Sequence, residues 1–529
     1  MFDVAERPST RNPATLQVRR SSLGTRTAHG RSCRAYTVSF DSHSYGQGAS
    51  VRIFGYYAVP GGLPRGARAP ALVMVHGGGG YALLGRALDA AGRGYVGLAI
   101  DLPGKGPGRS RSRSTGPNLS VSNLFNTSAN PESNYVYHAV TAALRSITYL
   151  RAQPEVDPNR IGIYGISWGG VVSLIAGSVD KRVVAVVDMF GSGYLYRGST
   201  WTRRLEKMSP EARERLRYDF DASSYVGAMK CPILGVTGTN DNCYWLPSFM
   251  RTFKSMNNKR WLLLRPNLDH KIDTPARQGI WAWLNRHLAH NPAEAGAPPR
   301  VGWWYSKLEG DRVLVSTTAA GAQAVQRAQV TYSQGGGGWA RRRWRTVECD
   351  RGVGRFDARV PLTPQPLFAY VTFSFEDGSV LSSSVRTLAA VDVGNRVALY
   401  DLPMIYDGKL VAPAEEFLPS LGVEIIPELS TSRTLGAVTG EGLRPIPCAT
   451  VGGECYVEVR SVAEKLGAVV HWDGQMIHIY WPGSGPRAVD TFEVSYPAFY
   501  VGDPDAGTSG NAPLEDLLSR RNDSNASSE

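Results

Sequence analysis

At 529 residues the chain exceeds what one hydrophobic core ordinarily serves, so two to four domains are expected. Its formal net charge of +12 would suit a nucleic acid or an anionic surface, but the basic runs at 109–114 and 341–345 belong to no nucleic-acid module and read as solvated loops. No apolar run is long enough to cross a bilayer, and Met1-Phe2-Asp3-Val4-Ala5-Glu6 lacks the apolar core of a signal peptide, so the chain is either cytoplasmic or without its leader.

In chain order, the first chemically suggestive element is the apolar run 71–75, a buried strand by its pattern, which opens into His76-Gly77-Gly78-Gly79-Gly80. Glycine at such a place lets backbone N–H groups come within hydrogen-bonding distance of an oxyanion, where a Cβ would obstruct; a flexible tight turn is the alternative. The basic run that starts at Arg109 follows the loop at Asp101, and on that side of the sheet it would favour acidic substrates or a charged polymer.

The most informative stretch is Gly165-Ile166-Ser167-Trp168-Gly169-Gly170, between a strand-like run at 160–164 and a helix-like run at 171–176. That is the setting of a nucleophile elbow, in which a serine occupies a sharp strand-to-helix turn and the residue after it, here Trp168, supplies an oxyanion amide. Gly78, with Gly79 next, is the candidate for the second amide. Residues 191–229 form an insertion expected to cover the site, with Ser209 as a helix N-cap before Pro210. Tyr81, Tyr194, Trp201 and Tyr244 are candidate pocket residues, with ordinary packing as the competing role.

Residues 232–238 read as a buried parallel strand with Asp241 in the loop at its end, and 260–265 as a last strand followed by Asn267-Leu268-Asp269-His270. Ser167, Asp241 and His270 thus stand in the chain order of a nucleophile, an orienting carboxylate and a base, with Asp269 the rival carboxylate. His76 and His138 precede the serine, His287 and His290 lie on a final helix as surface or packing residues, and His471 and His478 fall in a later region. The odd separation of the last two is expected to point them to different faces. His270 would take the Ser167 proton as the serine attacks an acyl carbon, and Asp241 would hold the imidazole tautomer. No cofactor and no metal is called for. The six cysteines, Cys33, Cys231, Cys243, Cys349, Cys448 and Cys455, show no metal spacing, and Cys448 with Cys455 suits either a short disulfide loop or two thiols.

Residues from about 35 to 290 resemble the acetyl xylan esterase, dienelactone hydrolase and prolyl-oligopeptidase-like branch of the α/β-hydrolases. The resemblance is carried by the glycine loop, Asp101-Leu102-Pro103-Gly104-Lys105-Gly106, Tyr137-His138-Ala139-Val140, Glu155-Val156-Asp157-Pro158-Asn159-Arg160-Ile161-Gly162, the elbow and Val236-Thr237-Gly238-Thr239-Asn240-Asp241. It implies an α/β fold with a doubly wound, mostly parallel sheet over 30–290, Ser167, Asp241 and His270 as the triad, and carboxylic ester hydrolysis, with an acylated polysaccharide as a substrate class. Dienelactone hydrolases place a cysteine at the elbow, so Ser167 argues against their chemistry. A prolyl-oligopeptidase-type serine peptidase remains open although no propeller precedes the elbow, as does a binding or scaffold protein with a vestigial hydrolase.

Proline and alanine at 291–299 mark a linker. Strand-like runs at 313–317, 328–332, 358–362 and 368–374 predict an immunoglobulin-like β-sandwich over 301–390, in which Trp303, Trp304, Trp339 and Trp344 form either a carbohydrate-stacking platform or core packing. Within 395–482, the segments 407–425 and 452–470 repeat a strand, short helix, glycine, strand pattern. The second, running on to 480, resembles the N-terminal stalk domain of copper amine oxidases. That resemblance implies a small α+β spacer or envelope-attachment module without copper, and a secreted or envelope-associated bacterial protein. Residues 503–529 have the composition of a disordered tail.

Overall fold

A computed structural model describes residues 1–289 apart from 47 and 197, residues 298–388 apart from 310–311, 322–323, 335–337 and 362–366, and separate elements from 404 onward. The chain forms two compact units, one comprising Met1–Ser333, Gly338–Pro361 and Ala369–Val385, and the other containing the rest.

The first unit is built on nine strands: β1 (Arg19–Ala28), β2 (Arg31–Asp41), β3 (Arg52–Pro60), β4 (Ala69–Val75), β5 (Val96–Ile100), β6 (Val156–Ile166), β7 (Ala185–Met189), β8 (Ile233–Gly238) and β9 (Arg260–Arg265). Their order is β1-β2-β3-β5-β4-β6-β7-β8-β9. Pairing is antiparallel from β1 to β3 and between β3 and β5, and parallel from β5 through β4 to β9. Every residue of β4, β5, β7 and β8 is buried, which is why these strands read as apolar runs broken only by Asp188 and Thr237: helices cover both faces of a parallel sheet. The helices Leu84–Gly92, Tyr135–Arg151, Trp168–Val179, Leu246–Lys254 and Thr274–Leu284 make those covers. Parallel strands joined by crossovers all end at one edge of the sheet, so the loops after β4, β6, β8 and β9 gather there.

The region predicted to be a separate sandwich does not stand apart. β17 (Val380–Ser382) pairs with β9 through Ser382 and Leu262. Beyond it the first sheet continues through β16 (Leu367–Phe375), β12 (Val325–Gln334) and β13 (Trp344–Glu348). A second sheet holds β10 (Arg300–Glu309), β11 (Arg312–Ala320), β15 (Phe356–Pro361) and β14 (Asp350–Arg351), in that order. Trp339 and Trp344 are buried, and the Trp344 ring meets Tyr370 at 5.6 Å, so these two pack. The side chains of Trp303 and Trp304 lie outside the described residues.

In the second unit the strand Lys409–Pro413 pairs antiparallel with Glu454–Glu458, which leads into the helix Val459–Lys465 and the strand Val469–Trp472. The matching helix of the first repeat, the Cys455 side chain, most of the linker, His290 and the tail from 503 lie outside the described residues. His471 and His478 sit directly opposite each other on paired strands. Their side chains lie outside the described residues.

Candidate active site

Ser167 stands at the end of β6 with φ +57° and ψ −122°, a conformation that L residues rarely adopt. The neighbours explain how the chain holds it. A Cβ on Gly165 would lie 2.0 Å from the Gly169 carbonyl oxygen, and one on Gly169 would lie 2.3 Å from that of Val75, so the turn closes only with glycine at both places. The Ser167 N–H donates to the Met189 carbonyl at 2.7 Å, tying the elbow to the end of β7.

Asp241 follows β8 and His270 follows β9. The Asp241 oxygens lie 2.9 and 3.0 Å from His270 Nδ1, and Oδ1 also accepts the N–H groups of Cys243 at 2.7 Å and Tyr244 at 2.9 Å. The carboxylate is 1% exposed, held by amide donors in place of water. A carboxylate only accepts, so Nδ1 donates to it, and in the neutral ring that leaves Nε2 as the acceptor. The imidazole sits between Phe190, edge-on at 5.4 Å, and Tyr244 at 6.0 Å. Among the described residues no hydrogen bond joins His270 to the Ser167 hydroxyl. Asp269, the rival carboxylate, faces away to Lys271 at 3.2 Å and is half exposed.

The glycine loop passes beside the elbow. A Cβ on Gly77 would touch that of Ser167 at 3.3 Å, and one on Gly78 would lie 3.9 Å from that of Trp168, so this backbone runs along the first turn of the elbow helix. The Trp168 N–H, in that first turn, has no acceptor within its own helix. Gly79 instead lies against Gly108, 2.9 Å from its Cβ position through its carbonyl. His76 is the loop's clamp. Its Nε2 accepts the Leu102 N–H at 3.0 Å and its Nδ1 donates to the Gly77 carbonyl at 2.6 Å, and burial lowers it to about 4, so it is neutral.

The insertion reaches the acid loop: the Thr200 N–H donates to the Cys243 carbonyl at 2.8 Å, and Ser199 bridges to Tyr244. This brings Trp201 and Tyr244 to the His270 side of the site, although Tyr244 is buried. Ser209 caps the helix Pro210–Phe220 through the Ala212 N–H at 3.2 Å. Tyr194 does not join the site: its hydroxyl bonds Ser255 at 2.6 Å and its N–H donates to Asp221. Tyr81 pairs with Arg111 at 3.0 Å on the rim of the glycine loop.

The basic run at 109–114 is not a uniformly solvated loop. Arg109 is 0% exposed, with its guanidinium on the Leu102 and Pro103 carbonyls and the Tyr135 hydroxyl, because the loop after β5 needs donors for its inward carbonyls. Arg113 lies over the Phe54 ring. His138 and His287 are packing residues whose ionisation burial suppresses, His287 against Trp261 and Trp283.

Three features had no signal in the sequence. Asp188, at the end of β7, is fully buried: Oδ1 accepts the Gly191 N–H at 2.8 Å and Oδ2 has no partner. Burial raises it to about 8, the Gly191 bond opposes this, and nearby Asp241 adds to it, so Asp188 is protonated at neutral pH. Cys243 stands beside the pair, with ligand-type atoms of Asp241, Cys243 and His270 within 4.8 Å of one another. Asp241 is already engaged with His270, and burial, then the Asp241 charge, push the thiol up to about 11, so these atoms form a histidine–carboxylate pair with a protonated neighbour. Finally, Asn240 and Asn267 tie the acid and histidine loops to segment 340–344.

The strand order and the elbow define an α/β-hydrolase fold. Residues 10–197 match the acetyl xylan esterase (AXE1) family model and residues 135–290 match that of the prolyl oligopeptidase family. Acetyl esterase Axe7A of Xylanibacter ruminicola is 28% identical over 166 residues, which span 29% of this chain and 37% of that protein, so the chain covers little over a third of this relative. The structure is also similar to the acetyl xylan esterase from Paenibacillus sp. R4, at 20% identity and a TM-score of 0.46, covering 54% of this chain and 93% of the other. An acylaminoacyl peptidase of Pyrococcus horikoshii aligns at 17% identity and a TM-score of 0.37, covering 52% and 51% of the two chains.

Proposed function

We propose that the chain is a serine carboxylic ester hydrolase that works through an acyl-enzyme, an acetyl xylan esterase-like deacetylase or a related carboxylesterase. The observation that carries this reading is the strained Ser167 elbow on the same sheet edge as the buried Asp241–His270 pair. Ser167 attacks the acyl carbon while His270 Nε2 takes its proton, and Asp241 stabilises the imidazolium that forms. The amides of Trp168 and Gly78 receive the oxyanion, with Gly79 the alternative donor; removing one such donor typically lowers kcat by roughly 10²–10³. His270 then protonates the leaving alcohol, and water deacylates the serine by the same path in reverse.

The similarity to an acetyl esterase and to the acetyl xylan esterase family supports an acetyl group on a polysaccharide or oligosaccharide as the substrate. The match of 135–290 to the prolyl oligopeptidase family supports a peptidase as the second reading. Export to the envelope is part of the first, and fractionation of the producing cells tests it. Turnover of 4-nitrophenyl acetate and acetylated xylo-oligosaccharides, measured beside aminoacyl anilides, separates esterase from peptidase. Ser167→Ala is expected to lower esterase kcat by about 10⁴-fold or more, and Asp269→Asn to change it less than about threefold. Full turnover by Ser167→Ala, or none by the parent protein on any ester, ends the reading.

A further inference from the structure

Two hollows meet beside the elbow. One, of ≈ 220 Å³, runs from Gly77 and Ile166, which flank Ser167 across the turn and along the chain, to Leu83 and Arg86. The other, of ≈ 430 Å³, shares Leu83, Arg86 and Tyr164 and extends to Arg277 and Trp281. Its wall also includes Met189, whose carbonyl accepts the Ser167 N–H, and Ile272, two residues past His270. The larger hollow thus shares walls with the smaller one and is bordered by residues next to the triad, while neither is lined by Ser167, Asp241 or His270 themselves.

The charges in it do not balance. Arg86, Arg93 and Arg277 line it together with a single carboxylate, Asp89. That carboxylate is already engaged by Arg93 at 3.2 Å and by His29 at 2.5 Å. Among the described residues Arg86 and Arg277 have no carboxylate partner. Both guanidiniums act on the Tyr164 hydroxyl: burial raises that phenol and the two arginines oppose the rise. Arg86 also leaves the first turn of the helix Leu84–Gly92, whose N-cap position, Leu83, offers no side-chain acceptor, and Gly85 of that turn lines the same hollow. Two guanidiniums and the positive end of a helix thus converge on a concave site walled elsewhere by Ile280 and Trp281.

We propose that this hollow binds an anionic group, a carboxylate or a phosphate, carried by the ester away from its scissile bond, so that anionic esters are the preferred substrates. The inference rests on the ester hydrolase reading and names its substrate class. It moves the acid preference expected of the run at 109–114 to a different place, since Arg109 is buried on carbonyls. Planar guanidiniums bind such groups through paired hydrogen bonds, and a remote contact made equally in ground and transition states acts on KM.

The test compares each anionic ester with a neutral match. 4-Nitrophenyl hydrogen succinate against 4-nitrophenyl butyrate places the charge on the acyl side. 4-Acetoxybenzoate and 4-acetoxyphenyl phosphate against phenyl acetate place it on the alcohol side and separate carboxylate from phosphate. At least one anionic ester is expected to show a KM about tenfold below its match, an advantage that added salt erodes. In the Arg86→Gln/Arg277→Gln double variant the anionic-to-neutral ratio of kcat/KM is expected to fall about tenfold. Hydrolysis of neutral esters with no anionic preference overturns this inference and leaves the hydrolase reading intact, as does an equal loss on both kinds in the double variant. Should no ester at all be turned over, the pocket is still decided by calorimetric titration of the Ser167→Ala protein with succinate and with inorganic phosphate. Saturable binding that the two arginine substitutions weaken about tenfold supports the pocket, and no binding overturns it.

Discussion

Asn267 closes a ring of two hydrogen bonds with the main chain of Trp344: its amide donates to the Trp344 carbonyl at 2.8 Å, and its side-chain oxygen accepts the Trp344 N–H at 2.8 Å. Asn240, one residue before Asp241, donates to the carbonyls of Ala340 and Arg342. The loops that carry both members of the histidine–carboxylate pair are thus fastened to the start of β13, far along the chain. Asn267 itself has φ +55°, and its N–H is held by the Thr239 hydroxyl at 2.8 Å, so its strained backbone is fixed from two directions.

Asn267→Ala removes both bonds to Trp344 and is expected to destabilise by about 2 kcal/mol. More tellingly, kcat should fall about tenfold with KM changed less than about threefold, because the substitution shifts His270 without touching the substrate. Asn267→Asp, which keeps the acceptor for the Trp344 N–H, should recover part of kcat. Steady-state kinetics of the three proteins on one ester decide the matter, and a parallel rise in KM would contradict a positioning role.

Asp188 makes stability depend on pH. Its folded-state value is raised to about 8 from an ordinary carboxylate value near 4, so the folded protein binds a proton that the unfolded chain has released. The contribution is fully present below about pH 4 and is lost as pH rises through about 8. Asp188→Asn keeps an acceptor for the Gly191 N–H without the titration. The midpoint of thermal unfolding of the parent protein should therefore decline between pH 5 and 8 relative to that of the variant; parallel curves would rule this out.

The thiol of Cys243 is held protonated beside Asp241, pushed up to about 11. Iodoacetamide at neutral pH should therefore modify it more slowly than a free cysteine peptide, since the thiolate is the reactive species. Cys243→Ala should retain ester turnover within about threefold, and a chelator should leave turnover unchanged. Loss of activity on chelation would mean that the cluster with Asp241 and His270 holds a metal that the reaction needs.

At the elbow, stability and activity should separate. Ser167 is held at φ +57°, where glycine is at ease and alanine is not. Ser167→Gly and Ser167→Ala should be equally inactive, with the glycine protein the more stable by about 1 kcal/mol. Chemical denaturation of the pair measures the strain directly, and equal stabilities would show that the turn is not strained.

The parallel core and the Asp241–His270 contact were legible because each depends on local chemistry. Buried parallel strands must be mostly apolar, the elbow must have glycine at 165 and 169, and each polar loop must follow a core strand at one edge of the sheet. Other features depend on which distant segments meet, and residue type is silent on that. Arg109 is a long cation that its own sequence neighbours mark as solvated, yet carbonyls from the preceding loop draw it inside. The run of strands beyond residue 300 reads as a body of its own, but a single bridge between Ser382 and Leu262 continues the first sheet into it, and Asn267 then reaches Trp344. The amino-acid order by itself determined the catalytic candidates and the strands that present them. Only the tertiary structure decided what braces those loops, which carboxyl stays protonated and which arginines share one hollow, because burial and proximity are properties of the packed chain.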